Sequence, residues 1–234
     1  MGKRQETMRD ASATGADAGG DGAAPAELSM QGMRVYGVLT ALFCGALVIS
    51  NVLAAKALDL GPFALPASIL TFPLVYIIND VLSDVFGFKR MRATIMLGFA
   101  VAALAALAFS VAIALPGLDA ETDAAFAQTL GSSGRILLGS FAAYLLGSLL
   151  NSYLMSSLKR QFDRFLFFRC IVSTLFGEAV DSATFITIAF AGVFAPEVIL
   201  TMIASQVLFK VLYEIVLYPA TKLVILKVRS YVIG

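Results

Sequence analysis

Long apolar stretches alternate with short polar ones along most of the chain. Six of them are long enough to form helices that cross the hydrocarbon core of a bilayer, which takes about 20 apolar residues. They cover residues 33–56, 66–87, 93–115, 134–158, 170–193 and 198–222. Pro73 lies in the second stretch and should bend or open the helix there, because its nitrogen cannot donate to the carbonyl of Ile69. We therefore predict an all-α integral membrane protein, a bundle of six transmembrane helices.

Residues 1–32 contrast with this pattern. They are rich in Ala, Gly and Asp and have no apolar periodicity, which predicts a disordered tail. No apolar core of seven or more residues follows the basic start, so the pattern does not indicate a cleaved signal peptide. The predicted organisation is a disordered cytoplasmic tail at 1–32, a six-helix transmembrane domain at 33–225 and a short cytoplasmic tail at 226–234.

The basic residues predict the orientation of the six spans. Most of the 17 Lys and Arg residues precede the first stretch, follow the second, surround the loop after the fourth or close the chain. The loops between these carry acidic residues instead. Cytoplasmic loops carry the excess of Lys and Arg, so both termini are expected in the cytoplasm. We expect Asp84, near the inner boundary, to pair with the basic residues that directly follow the second stretch.

Composition narrows the class of protein. Hydrophobic residues make up 59% of the chain and charged residues 14%, against about 25% charged in soluble domains. The mean hydropathy is +0.86. A net charge of +1 argues against a nucleic-acid partner. Without His and with only two Cys, the chain lacks the residues for a usual zinc site and for a Ser-His or Cys-His catalytic pair, so no cofactor is expected.

Ionisable side chains inside the predicted spans are the candidate functional residues. A charge at the bilayer centre costs at least about 2.5–3.5 kcal/mol, so these side chains should face the bundle interior or a wet cavity. At about 1.5 Å per residue, four spans place polar groups in one layer slightly to the cytoplasmic side. A central binding site needs such a layer. The alternative is that the same residues pair with one another and only stabilise the bundle. The residues placed in or near this layer are Asp80, Asn151, Glu178, Asp181, Lys210 and Glu214.

Four segments together resemble one family of transporters. They read SNVLAAK at 50–56, LTFPLVYIINDVLSDVFGFKRMR at 70–92, GSLLNSYLMSSLK at 147–159 and RCIVSTLFGEAVDSATFITIAFAG at 169–192. The chain is similar in these segments to the queuosine-precursor transporters, also known as the vitamin uptake transporter family. Residues 35–225 match in order, with Asp84 where the family pattern leads one to expect Glu. The family is more distantly similar to the six-helix substrate-binding subunits of energy-coupling-factor importers.

The resemblance implies import of 7-cyano- and 7-aminomethyl-7-deazaguanine across the bacterial inner membrane, and no enzymatic activity. A carboxylate can accept both donors of the guanine edge, and amide side chains can donate to and accept from the ring. Lys210 and Glu214, four residues apart, could also pair along their own helix. The predicted substrate-binding set is Asn51, Asn79, Asp80, Asn151, Glu178, Asp181, Gln206, Lys210 and Glu214.

The sequence leaves two possible energy sources for transport. The chain has no GxxxxGK[ST] loop, so it either works as a stand-alone secondary transporter or serves as the substrate-binding subunit of a separate ATPase complex. Without His, proton coupling would have to use carboxylates. Asp80 has no cation within one helical turn in sequence, which favours it as the proton carrier and leaves Glu178 and Asp181 as ligands. An intramembrane aspartyl protease is disfavoured because the GxGD pattern is absent. The coupling ion, the preferred deazapurine and a homo-oligomeric state are not decided by the sequence.

Overall fold

The computed structural model describes residues 29–161 and 166–233, so the predicted tail lies outside it up to residue 28. Helices dominate the described chain, as predicted. Residues 226–233 continue the last helix without a break. The helices are α1 Met30–Leu53, α2 Phe72–Phe86, α3 Phe88–Ala114, α4 Ala120–Leu130, α5 Ser133–Gln161, α6 Leu166–Phe190 and α7 Pro196–Ile233.

Four helical stretches of the described chain are long and apolar enough to cross a membrane. They are Met30–Leu53, Phe88–Ala114, Ala120–Leu150 and Pro196–Val232, of which the third joins α4 to the first part of α5. They coincide with the first, third, fourth and sixth predicted spans. The fifth predicted span corresponds to α6, which carries Glu178 and Asp181.

The second predicted span, 66–87, is wrong as a continuous helix. Its α-helical part, α2, has 15 residues, about 22 Å, which is shorter than a hydrocarbon core of about 30 Å. Two antiparallel strands, β1 Ala57–Leu60 and β2 Phe63–Pro66, and a 3-10 helix, Ala67–Leu70, precede it. Pro73 explains the late start, because it has no N–H to donate to the carbonyl of Ile69 but is tolerated in the first turn of a helix, where it lies in α2. The all-α prediction therefore fails at this hairpin.

The hairpin has a tight turn and a buried base. Leu60 pairs with Phe63, so two residues make the turn, and Gly61 takes a positive φ of 73° that a side chain would disfavour. The N–H of Gly61 also donates to Oδ1 of Asp59 at 3.0 Å. At the other end Leu65 is fully buried and β2 packs against α7. We call this end of the bundle the hairpin end.

We call the opposite end of the bundle, where α1 and α3 begin and carry their basic residues, the basic end. The Tyr36 hydroxyl of α1 donates to the Arg90 carbonyl of α3 at 3.2 Å. One turn further in, the hydroxyls of Thr40 and Thr94 lie 3.0 Å apart, and both residues are buried. These bonds satisfy polar groups that would otherwise lie unpaired between two apolar helices. They hold α1 and α3 side by side and parallel.

One ion pair and one set of arginine hydrogen bonds join further helix ends. Asp84 of α2 contacts Arg229 of α7, with 2.8 Å between Oδ2 and a guanidinium nitrogen. The expected pairing of Asp84 with the residues that follow it is therefore wrong, because α7 runs alongside α2. At the hairpin end, Arg135 of α5 donates to the carbonyls of Ile188 and Ala191 and so satisfies the last turn of α6.

The helix α4, which the sequence pattern did not predict, lies between α3 and α5. Asp119 begins it, because its Oδ2 accepts from the N–H of Thr122 at 2.8 Å and from the Thr122 hydroxyl at 2.6 Å. These bonds favour the ionised form and lower the pKa of Asp119 below its ordinary value. The acidic residues expected in a loop thus form a capped helix.

Candidate functional site

An elongated cavity of about 430 Å³ runs along the inside of the bundle. It reaches from Ser68, in the 3-10 helix below the hairpin, to Phe88 and Met91 at the basic end. Six helices contribute to its walls, and its polar side chains cluster toward the middle and the hairpin end. Its polar lining residues are Ser50, Asn51, Ser68, Tyr76, Asn79, Ser140, Tyr144, Ser148, Glu178, Asp181, Gln206 and Lys210.

Three charged side chains meet at the middle of the cavity wall, and we call them the central triad. Lys210 of α7 lies between Glu178 and Asp181, which share one face of α6 at a spacing of three residues. Its Nζ is 2.9 Å from Oε2 of Glu178 and also hydrogen bonds to Oδ2 of Asp181. The lysine is only 4% exposed, whereas the carboxylates are 23% and 25% exposed. Each acid therefore holds the buried cation and keeps a side toward the cavity.

Tyr76 connects α2 to the triad. Its hydroxyl lies 3.4 and 3.5 Å from the two carboxylate oxygens of Glu178, within reach of a long hydrogen bond to either. The ring lines the cavity beside them. Because a tyrosine hydroxyl donates to a carboxylate, this contact helps to fix the orientation of Glu178.

A close approach of α5 to α6 positions Asp181. A Cβ atom on Gly147 would lie 2.9 Å from Cβ of Asp181 and 3.0 Å from the carbonyl oxygen of Gly177. Only a residue without a side chain permits that separation. The most extensive helix pair of the described chain, α5 with α6, therefore meets through small residues, as is common between membrane helices.

Amide and hydroxyl groups also line the cavity around the triad. The Ser140 hydroxyl lies 3.5 Å from Oδ1 of Asn51. The side-chain amide of Gln206, the hydroxyl of Ser68 and Oδ1 of Asn79 are buried and have no hydrogen-bond partner among the described residues. Buried polar groups are usually paired, so this group is unusual for the interior of a folded protein.

The structure brings six of the nine predicted site residues to this one cavity: Asn51, Asn79, Glu178, Asp181, Gln206 and Lys210. Asp80 and Glu214 are not among its lining residues. They are exposed on α2 and α7, with Glu214 within electrostatic reach of both Glu178 and Asp80. Asn151 lies on α5, but its side chain falls outside the described part. The pairing considered for Lys210 along its own helix is replaced by contacts across to α6.

Several residues that line the cavity were not predicted from the sequence. Ser140 and Tyr144 lie on one face of α5 with Gly147, at the i, i+4, i+7 spacing of a helix face, and that spacing could have revealed them. Ser68 had no such signal, because it lies in a segment expected to be a continuous helix.

Known proteins with similar sequences point to membrane transport. A family model described as putative vitamin uptake transporter matches residues 66–224. A relative in Bacillus subtilis (strain 168), named probable queuosine precursor transporter, is 28% identical over 181 residues, which cover 74% of this chain and 77% of the relative. No solved structure matches the chain.

Proposed function

The chain belongs to the putative vitamin uptake transporter family, and we propose that it imports queuosine precursors, the 7-cyano and 7-aminomethyl forms of 7-deazaguanine, across the bacterial inner membrane. One observation carries the proposal: a buried lysine lies between two carboxylates on the wall of a cavity inside the bundle. The name of the Bacillus relative agrees with these substrates. Membership of a transporter family implies that the chain is not an enzyme.

The central triad complements the hydrogen-bonding edge of guanine. This edge presents one acceptor, O6, beside two donors, N1–H and the exocyclic amine. A carboxylate accepts both donors in a charge-assisted pair, and the Lys210 ammonium beside it can donate to O6. Adenine has one donor and one acceptor on the corresponding edge, so it would leave a carboxylate oxygen unpaired. Unpaired polar groups at a buried site cost free energy, which favours the guanine type of base.

The size and the apolar walls of the cavity suit a flat bicyclic ring. Its volume of about 430 Å³ lies in the range of small-molecule sites, about 300–1,000 Å³. The rings of Tyr76, Phe99, Tyr144 and Phe185 line it and offer faces and edges for stacking on a heterocycle.

The proposed topology keeps six crossings with both termini in the cytoplasm. In the second crossing, α2 is completed by the 3-10 helix and the buried base of the hairpin, which is consistent with irregular backbone where it is covered by protein. The basic end then faces the cytoplasm, and the cavity extends toward it. Labelling with a membrane-impermeant thiol reagent tests this: a cysteine at Glu121 should react in intact cells and one at Gly2 should be shielded. Reaction at both positions contradicts the topology.

The positions of the acids suggest two roles. Glu178 and Asp181 face the cavity and serve as substrate ligands, whereas Asp80 lies outside it on α2 and serves as the proton carrier. Glu214 lies within electrostatic reach of both Asp80 and Glu178, so it can couple the charge at one to the charge at the other. This arrangement favours a secondary transporter.

The decisive measurement is ligand-dependent thermal stabilisation of the purified chain. We expect both deazaguanines to raise the unfolding temperature and adenine to leave it unchanged. Equal stabilisation by adenine, or none by the deazaguanines, contradicts the proposal. Uptake into liposomes that contain this chain alone then separates a secondary transporter from a subunit that needs a separate ATPase.

The matched variants are Glu178→Gln and Asp84→Asn. A Gln side chain has one acceptor oxygen and cannot accept both guanine donors, so we expect affinity to fall at least about tenfold, the equivalent of about 1.4 kcal/mol. Asp84 pairs with Arg229 and is not among the lining residues, so its change should alter affinity less than about twofold. Similar effects of the two changes would argue against a ligand role for Glu178.

A further inference from the structure

Gln206 and Ser68 form a second polar group of the cavity, which we call the amide subsite. Gln206 is 1% exposed and Ser68 is 2% exposed, and both line the cavity. Neither atom of the Gln206 amide nor the Ser68 hydroxyl has a hydrogen-bond partner among the described residues. A buried amide without partners is unfavourable in the folded chain, so its presence on a cavity wall indicates a ligand that supplies the partners.

We propose that the amide subsite binds the N3 and N9–H edge of the base and thereby selects free bases over nucleosides, an inference that rests on the proposed function. A primary amide presents a donor and an acceptor side by side. Free deazaguanine presents the complementary pair, the acceptor N3 beside the donor N9–H, on the side of the ring away from O6. In a nucleoside or nucleotide, N9 carries the sugar and that donor is lost.

The spacing of Gln206 and Lys210 lets one base contact both groups. They are four residues apart on α7 and lie on the same face, with about 5–6 Å between their Cβ atoms. Both side chains line the same cavity, and their ends can diverge from these Cβ positions to contact opposite edges of one ring. A base whose O6 edge meets the central triad therefore presents its opposite edge toward the amide subsite.

The wall behind the subsite is closely packed. Ala67 and Ile69, on either side of Ser68, are each 3% exposed, and Leu65 of β2 is fully buried. A sugar on N9 would extend toward this closely packed base of the hairpin. Steric exclusion and the lost hydrogen bond therefore act in the same direction.

The test compares two ligands on the full-length purified chain: 7-aminomethyl-7-deazaguanine and its 9-methyl derivative. We expect the wild type to bind the 9-methyl form at least about tenfold more weakly, because one hydrogen bond is lost and the buried amide oxygen of Gln206 is left unpaired. Gln206→Met keeps a similar shape and removes the amide, so affinity for the free base should fall about tenfold and the preference for it should shrink. Gln128→Met is the matched control, because it is the same change at an exposed position of α4 that is not among the lining residues.

The outcomes separate this inference from the proposed function. If the wild type binds the free base but Gln206→Met retains both its affinity and its preference, the amide subsite is wrong and the importer stands. Equal binding of both ligands by the wild type likewise overturns only the subsite. If the wild type binds neither ligand, both proposals fail. Ser68→Ala repeats the comparison if Gln206→Met lowers the unfolding temperature of the empty protein.

Discussion

Replacing Lys210 with Met tests whether the central triad stabilises the bundle as well as the ligand. Met retains much of the apolar stem and removes the ammonium. Glu178 and Asp181 are then left side by side without the cation that both contact. Two neighbouring carboxylates repel each other when both are ionised, and each has also lost a hydrogen-bond donor. The folded state should lose stability for both reasons.

The size of the loss follows from the burial of the three groups. Removing one partner of a buried ion pair costs about 3–5 kcal/mol. The carboxylates here are about a quarter exposed, so solvent screens part of the repulsion and we expect the lower end, about 3 kcal/mol. For a chain of this length each kcal/mol shifts the unfolding temperature by about 2–4 °C, which predicts a decrease of about 6–12 °C.

The assay is thermal unfolding of the detergent-solubilised protein, followed by far-ultraviolet circular dichroism. Lys222→Met is the matched control: the same change on the same helix at an exposed position, expected to cost less than about 0.5 kcal/mol. Adding Asp181→Asn to Lys210→Met removes the repulsion and should restore part of the stability, which a double-mutant cycle quantifies. Equal losses from Lys210→Met and Lys222→Met, or no recovery in the double variant, would refute the reasoning.

Three further predictions concern the acid outside the cavity, the helix contact and the cap of α4. Asp80→Asn should bind substrate normally but fail to accumulate it against a gradient in liposomes; lost binding with pH-dependent transport retained would contradict the carrier role. Gly147→Ala should lower the free energy of unfolding by about 1–3 kcal/mol and weaken substrate binding, because the added methyl group displaces Asp181. The control is Gly37→Ala, which has open space around it and should stabilise the protein by about 0.4–1 kcal/mol in the same thermal unfolding experiment. Because the pKa of Asp119 is lowered in the folded state, its cap is complete above the ordinary carboxyl pKa of about 3.9 and is lost as pH falls through the lowered value. Amide-exchange protection of the first turn of α4 should decrease over the same pH range. In Asp119→Asn this pH dependence of the protection should be absent.

The helices and their polar layer could be predicted from the sequence. Apolar runs of about 20 residues predict membrane helices because the bilayer core has a fixed thickness. Charged residues inside those runs predict an interior site, since lipid does not solvate them. Glu178, Asp181 and Lys210 were found in this way, and Pro73 marked the place where the helix opens. Each of these conclusions depends on local composition or on the position of a residue along its own helix.

The tertiary structure decided which of these residues meet. Helical periodicity tells which side chains share a face but not which helix that face contacts, so the partner of Lys210 on α6 and that of Asp84 on α7 could not be derived. The same limit explains why Asp80 and Glu214 were grouped with the ligands although they do not line the cavity. Ser68 reaches the cavity only because the chain forms a hairpin and a 3-10 helix where a continuous helix was expected. The unpartnered amide of Gln206 depends on how closely neighbouring elements pack around it, a property that no single segment of sequence determines.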